Sequence, residues 1–479
     1  MKTKKTYLFA LLLAATMTSA CEEWLKIEPQ YEITDTDLYK NTAGYYKVIN
    51  GLYYQMSDFA LYGKELSWGM TDVWARYYAI DPASDYKSYP QMYNLEYEAQ
   101  EAASLASAAW SAGYKIIAQA NDLIAHIEKT GDGFFTHGKT DRNTILGEAY
   151  AVRAMMHFDL LRLFGASMEV DPDGKYIAYV ESYPSTVNPP VSNREFMDKV
   201  IADLGQAREL LKTLDVETNP AQVTTTTERF FASTPPSLGK FYGNRGTRLN
   251  YYAVTVLLAR ACLWAQETGD ALTYANEIVD LVTAKKLQFS SASSIANNPK
   301  MFDDLLFGFY NEKLVETYEP YVNNTGSRRL TIDDKTFFTS PTNDKRSGFI
   351  NTSTNFMKKY ITNVTDEKDK IIPNIRISEA YYIAAECLYR TDMTTAIADL
   401  MVVRKARGYT SPALSEPMSE AAFREVLTYE YRKEFIGEGQ LIFYFKRNNL
   451  PIAFSGGNFE HGGKLVLPVP DSESAIPNN

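Results

Sequence analysis

Gly147-Glu148-Ala149-Tyr150-Ala151-Val152-Arg153-Ala154-Met155-Met156-His157-Phe158-Asp159-Leu160-Leu161-Arg162-Leu163-Phe164-Gly165 is the stretch on which the fold turns. Ile145, Ala149, Val152, Met156, Leu160 and Leu163 recur at steps of three and four, the period of a helix with an apolar face. Gly165 supplies a stop. Moving toward the N-terminus, Ala102 to Ile127 carries Leu105, Trp110, Ile116, Ile117, Leu123 and Ile127 and predicts a second helix. Another is expected to begin at the capping residues Thr36-Asp37 and to run through Tyr45, Ile49 and Leu52 toward Met56.

Moving toward the C-terminus, Pro172, Pro184, Pro189 and Pro190 mark a loop. Ser192-Asn193-Arg194-Glu195 then reads as a capping box opening a helix to Leu211. Leu249 to Ala265, a turn at Thr268-Gly269-Asp270 and Ala271 to Leu281 form a helix pair with alanines at close-contact positions. Ser378 to Tyr389 and Thr394 to Arg404 form a comparable pair. The two units share Ala261-Cys262-Leu263-Trp264 and Glu386-Cys387-Leu388-Tyr389. Plain bundles also contain such pairs, so the pattern alone leaves repeat packing open. Residues 290–370 lack long periodicity and are expected to be loops with a few short strands. A last helix, Glu420 to Phe435, leads into Leu441-Ile442-Phe443-Tyr444-Phe445, and the proline-rich Leu465 to Pro470 tail is extended.

The chain begins with Lys2, Lys4 and Lys5, an apolar Tyr7 to Met17, and Thr18-Ser19-Ala20-Cys21. A basic start, a short apolar run and small residues before a cysteine predict a leader cleaved before Cys21, whose thiol takes a lipid. Ordinary cleavage and release is the alternative. The net charge is −10, and three fewer leader lysines make it −13. An acidic surface gives no electrostatic case for binding nucleic acid. Cys262 and Cys387, both in apolar helical contexts, are the cysteines beyond Cys21 and provide no disulfide framework. Aromatic residues make up 13% of the chain, with 34 tyrosines, so rings are available both for a core and for a wet binding face.

The segments 147–165 and Ala202-Asp203-Leu204-Gly205-Gln206-Ala207 carry a family resemblance, together with Arg248-Leu249-Asn250, Leu257-Leu258-Ala259-Arg260 and Gly269-Asp270-Ala271. Arg376 to Glu386, Glu430-Tyr431-Arg432-Lys433-Glu434-Phe435, Gly439-Gln440, Lys446-Arg447 and Pro468-Val469-Pro470 extend it. In this order, behind a lipid-type cysteine, they resemble the SusD/RagB family of Bacteroidetes outer-membrane lipoproteins over nearly all of the chain. The resemblance implies an all-α scaffold of four tetratricopeptide-like helix pairs, with a loop-rich ligand-binding region and minor short strands. It divides the chain into a signal peptide (1–20), a lipid-anchored tether (21–35), an N-terminal helical region (36–285) and a C-terminal region (286–479). It implies a surface lipoprotein that captures oligosaccharide for a SusC-like TonB-dependent transporter; some relatives serve peptides. The Glu22-Glu23 pair after Cys21 is similar to the signals that send such lipoproteins to the outer face. Tyr150 and the Ser378-Glu379-Ala380-Tyr381-Tyr382 form of the late helix depart from the commoner family pattern.

Catalysis has little to stand on in the sequence. His126, His137, His157 and His461 form no closely spaced zinc motif, and no serine sits in a nucleophile elbow. Asp171-Pro172-Asp173-Gly174 opens like a calcium loop but lacks its later ligands, and an ordinary turn is expected. No catalytic residue, metal or cofactor is assigned, with a surface-anchored hydrolase kept as an alternative because paired carboxylates cannot be picked out by spacing. For ligand contact the expected residues are Trp68, Asp72, Trp74, Arg76, Tyr77, Tyr78 and Asp81, within the irregular segment 66–93. Rings suit the C–H faces of a pyranose, and interleaved polar groups suit its hydroxyls. The competing reading is that Trp68 and Trp74 anchor the loop on the core. Loops with Phe230, Phe231, Phe241 and Tyr242, and with Phe309, Tyr310, Tyr318 and Tyr321, are rival sites. Arg245, Arg248, Arg432, Glu434 and Arg447 are expected to be structural ionic groups.

Overall fold

The computed structural model describes residues 38–82, 84, 86–185, 187–233, 235–322, 328–339, 343–360, 367–409 and 413–474. The leader, Cys21 and the tether lie outside the described residues.

Eight helices stack in sequence order as four antiparallel pairs. They are α1 (Thr42–Met56), α2 (Gln100–Glu128), α3 (Lys139–Phe164), α4 (Asn193–Lys212), α5 (Tyr251–Trp264), α6 (Thr268–Thr283), α7 (Ile377–Leu388) and α8 (Met393–Ala406). Each packs on the next, so that α2 meets α3, α4 meets α5 and α6 meets α7. Polar side chains satisfy the open amides at several starts. Ser192 Oγ accepts from Glu195 N at 3.2 Å, and Asn250 Oδ1 accepts from Ala253 N at 3.1 Å. The start of α1 is capped by Asn41 rather than by the expected Thr36-Asp37, its Oδ1 accepting from Gly44 N at 3.1 Å. Thr268-Gly269-Asp270, expected to be a turn, forms the first turn of α6, where Asp270 suits the positive end of the helix.

The deciding stretch lies at the centre. Every residue of α3 from Thr144 to Phe164 except Tyr150 is buried, so the helix is enclosed on all sides rather than on one stripe. Gly147 allows this, because a Cβ there would meet the Leu211 side chain at 2.9 Å and the Ala207 carbonyl at 3.1 Å. The polar residues of α3 are therefore buried too, and each finds partners. Arg153 donates twice to the Asp203 carboxylate, at 2.7 and 2.6 Å. Glu148 pairs with Arg245 and Arg248, and Asp159 accepts from Tyr62 and Arg162. His157 donates from Nδ1 to Arg153 O at 3.0 Å and accepts at Nε2 from Val180 N at 3.0 Å. Burial, then the nearby Arg153, pushes its imidazole well below the usual range, so it is the neutral tautomer those two bonds require.

The expected short strands are present. β1 (Leu305–Tyr310) and β2 (Ile371–Arg376) pair antiparallel, Tyr310 opposite Ile371 at the outer end and Leu305 opposite Arg376 at the inner end. The inner end is fastened by buried ions from α9 (Glu420–Glu434) and from the turn before α10 (Leu441–Arg447). Arg407 donates to Asp304 at 2.5 Å and to Glu434 at 3.0 Å. Arg346 holds Asp344 at 2.9 Å and Glu430 at 2.8 Å, while Glu438 receives Arg376 at 2.8 Å and Lys359 at 2.5 Å. Burial alone would raise the Glu434 carboxyl, but Arg407 and Arg346 outweigh it and hold it far below the ordinary range.

Removing one partner of such a group leaves the others charged and dry, so Arg407→Leu should lose about 3–5 kcal/mol in denaturant unfolding. A surface substitution such as Lys129→Ala should stay within about 0.5 kcal/mol. Asp399, on α8, gives a pH-dependent case: burial, then Asp392, pushes its carboxyl up to about 6. The native state therefore resists its ionisation, and this penalty grows as pH rises from about 4 to about 6. Asp399→Asn should raise the Tm at pH 8 and leave it unchanged at pH 4; an equal gain at both values would contradict the assignment.

Candidate functional site

The seven residues expected to contact ligand mostly face the interior, which corrects the reading of a surface platform. Trp68, Asp72, Trp74, Tyr77 and Tyr78 are fully buried, Arg76 is nearly so, and Asp81 is exposed. Met70–Trp74 forms a short helix with every residue buried. Trp68 lies edge-on to Tyr318 at 4.8 Å and to Tyr321 at 5.1 Å. Tyr77 donates to Arg432 O at 2.7 Å and Tyr78 to Trp68 O at 3.0 Å. Arg76 sits between the rings of Tyr93 and Phe459, at 3.9 and 3.6 Å. The segment thus wedges against the turn between α9 and α10. Gly439, at φ 70°, lets that turn pass so closely that a Cβ would lie 2.2 Å from the Leu66 carbonyl. Asp72 Oδ2 accepts from Gly437 N at 2.6 Å, and burial pushes its carboxyl well above the usual range. Buried against this turn and bonded to its backbone, Asp72 is placed to fasten the segment to the core.

The outer part of the segment is tied into a knot of its own. Lys64 Nζ lies 2.7 Å from Glu65 and donates to the hydroxyls of Tyr86 at 3.2 Å and Tyr321 at 3.3 Å. Burial opposes the ammonium charge, but Glu65 outweighs it and raises the pKa. The recess beside this knot, between Asp81, Tyr86 and Arg328, holds about 20 Å³. That is far below the ~300 Å³ at which ligand pockets begin.

A groove of the required size lies where the end of α1 meets the outer end of the strand ribbon. It has a volume of about 490 Å³ and is lined by Tyr54, Gln55 and Phe59 from the end of α1 and the turn after it, by Tyr310 and Asn311 from the ribbon and by Lys115 of α2. Its rings are open to solvent: Tyr54 is 78%, Tyr310 40% and Phe59 37% exposed. Asn311 Nδ2 donates to Ser57 O at 2.6 Å and so fixes the two walls against each other. The turn at the end of α1 is braced by Asp58, whose Oδ1 accepts from Ala60 N at 3.0 Å. Burial, then a hydrogen bond to Glu367, raises the Tyr310 phenol, and Glu367 is itself held by Lys370 at 2.9 Å. Solvent-open rings beside amides, an ammonium and carboxylates can receive an uncharged, hydroxyl-rich ligand.

Tyr310 belongs to one of the rival loops, whereas Tyr54 and Phe59 were missed. A signal existed for Tyr54. It falls off the Tyr45, Ile49, Leu52, Met56 stripe, so a helical α1 turns a large ring to water. The other rival rings are spent on packing. Phe241 stacks on Tyr46 at 3.8 Å, Tyr242 bonds Asp141, and Phe230 joins Phe302 in a small second core. Among the described residues no group of three or more acidic, histidine or cysteine side chains could hold a metal ion, and no helix is long and apolar enough to cross a membrane.

Comparison with known proteins agrees with this architecture. A family model described as SusD family matches residues 217–473, and one described as starch-binding, associating with outer membrane, matches residues 23–227. SusD-like protein P2 of Formosa agariphila is 27% identical over 213 residues, which span 44% of this chain but only 38% of that protein. A SusD superfamily protein of Bacteroides thetaiotaomicron superposes with a TM-score of 0.69 at 22% identity, covering 91% of this chain and 98% of that one. A putative sugar-binding protein of Bacteroides vulgatus gives 0.71 at 20% identity, covering 91% and 96%. A surface glycan-binding protein A of Bacteroides thetaiotaomicron, in complex with laminarihexaose, gives 0.63 at 15% identity, covering 90% and 97%. The structural likeness establishes the shared fold, and the first family match spans more than half of the chain: it belongs to the SusD family.

Proposed function

We propose that this chain captures an oligosaccharide in the Tyr54–Phe59–Tyr310 groove without cleaving it and passes it to a SusC-like TonB-dependent barrel. The observation that carries the reading is the groove itself, with three solvent-open rings on two walls fixed by the Asn311–Ser57 bond. A ring face gains by covering the C–H face of a sugar, and the polar rim exchanges bonds with water for bonds with hydroxyls. Such exchange is nearly even, so ring coverage sets affinity and the polar groups set orientation. The laminarihexaose bound to a protein of the same fold supports an oligosaccharide-sized ligand. Lipidation of Cys21 would keep the capture site at the outer surface, beside the transporter it serves.

The test separates ring contact from ring packing. With an oligosaccharide found by screening a glycan array, Tyr54→Ala and Tyr310→Ala should each weaken binding about tenfold in calorimetry, roughly 1.4 kcal/mol. Tyr54 is 78% exposed and Tyr310 40%, so the Tm of Tyr54→Ala should hold, while Tyr310→Ala should lose no more than about 1 kcal/mol. Trp68→Ala should do the reverse, losing about 3–5 kcal/mol of stability with unchanged affinity in the folded fraction. Undiminished binding by the Tyr54→Ala/Tyr310→Ala double variant would exclude the groove. Binding only to peptide pools would transfer the reading to a peptide lid, and turnover of the bound glycan by pure protein would make it a hydrolase.

A further inference from the structure

A second large recess lies elsewhere on α2 and is built differently. It holds about 450 Å³ between Trp110 and Tyr114 of α2, Val180 and Val187 of the α3–α4 connection, and Val469 of the tail. The connection is fixed to α2 at two points. Tyr114 donates to Ala178 O at 2.9 Å, and Asn121 Nδ2 donates to Val180 O at 2.8 Å. Beyond these points the wall opens, and Val187 stands 78% exposed at its edge. An aliphatic and aromatic cleft of this size gains by being covered.

The position of the described N-terminus indicates what covers it. The Tyr39 ring stacks on His126 of α2 at 3.9 Å, and its hydroxyl donates to Asp122 at 2.7 Å. Trp110, Tyr114 and Ala118, which line the cleft, stand at steps of four, and Asp122 and His126 continue the same row. Tyr114 and His126 are twelve residues apart, about 18 Å along the helix. The segment 24–37 precedes this point and can span up to ~46 Å when extended. It carries Trp24-Leu25-Lys26-Ile27, whose apolar residues match the walls, while Lys26 matches Glu473 at the rim.

We propose that Trp24, Leu25 and Ile27 seat in this cleft, so that the N-terminal segment is a strap along α2. The strap would shorten the free leash between body and membrane to the few residues after Cys21, on the reading that Cys21 carries lipid. The capture groove would then be held at one orientation to the membrane instead of swinging on a leash that reaches up to ~56 Å when extended.

A cross-linking experiment on the otherwise full chain, beginning at Glu22 and so independent of lipid and glycan, tests the seating. Ile27→Cys is combined with Val187→Cys, or with Tyr429→Cys as an exposed control on α9. Under mild oxidation the cleft pair should form an intramolecular disulfide at least about tenfold faster than the control, because seating raises the effective concentration of the two thiols. Adding Trp24→Asp and Leu25→Asp should remove that advantage. Buried Cys262 and half-buried Cys387 are present in every variant and set a common background. Equal rates for the two pairs, or an advantage that survives the aspartates, overturn the strap and leave the cleft to a separate ligand.

Discussion

Arg407 gripping Asp304 and Glu434 together is the contact on which the rest of the structure depends. Asp304 immediately precedes β1, and Arg376, held by Glu438, ends β2. The ion cluster therefore clamps the inner end of the ribbon, while the outer end delivers Tyr310 to the groove. Buried ions are a poor source of net stability, because desolvation offsets most of their attraction. Their value here is positional: a misplaced partner would leave a dry, unpaired charge, so one arrangement is strongly preferred. The same clamp takes Arg346, Lys359 and α9 together, which brings the late helices and the irregular 344–359 region to one point.

The four helix pairs supply the other half of the groove. α3 is enclosed on every side, and its charges act as crosslinks to α4 and to the Arg245–Arg248 turn. α2 and α1 are packed on that fixed centre, which places the backbone that carries Tyr54, Phe59 and Lys115. The ligand face is thus made where a helical stack meets a clamped ribbon. Neither part alone has two walls.

The helices were legible because their core positions repeat at three and four residues, as in Ile145, Ala149, Val152 and Met156. The structural role expected of Glu434 followed from the same logic, since charges inside apolar helical patterns require partners, while Arg245 was expected to fasten its loop to the repeat. The ligand face was much less legible. Trp68, Trp74, Tyr77 and Tyr78 form a dense ring-bearing segment without periodicity, and composition alone does not tell a wet platform from a packed wedge. Their burial is decided by Gly437 and Gly439, more than 350 residues away, whose close passage no local pattern records. Tyr54 carried a local signal, but its partner Tyr310 reaches it only through the ribbon and the ion clamp. A site assembled from distant segments is visible only after folding.

Hydrogen exchange of the full chain, with and without a saturating oligosaccharide found by screening, tests the central claim most directly. The account predicts slowed exchange at the 54–60 and 310–313 backbone, little change across 68–78, and recovery of the oligosaccharide uncleaved. Protection confined to other segments, or recovery of shortened sugar, would contradict it.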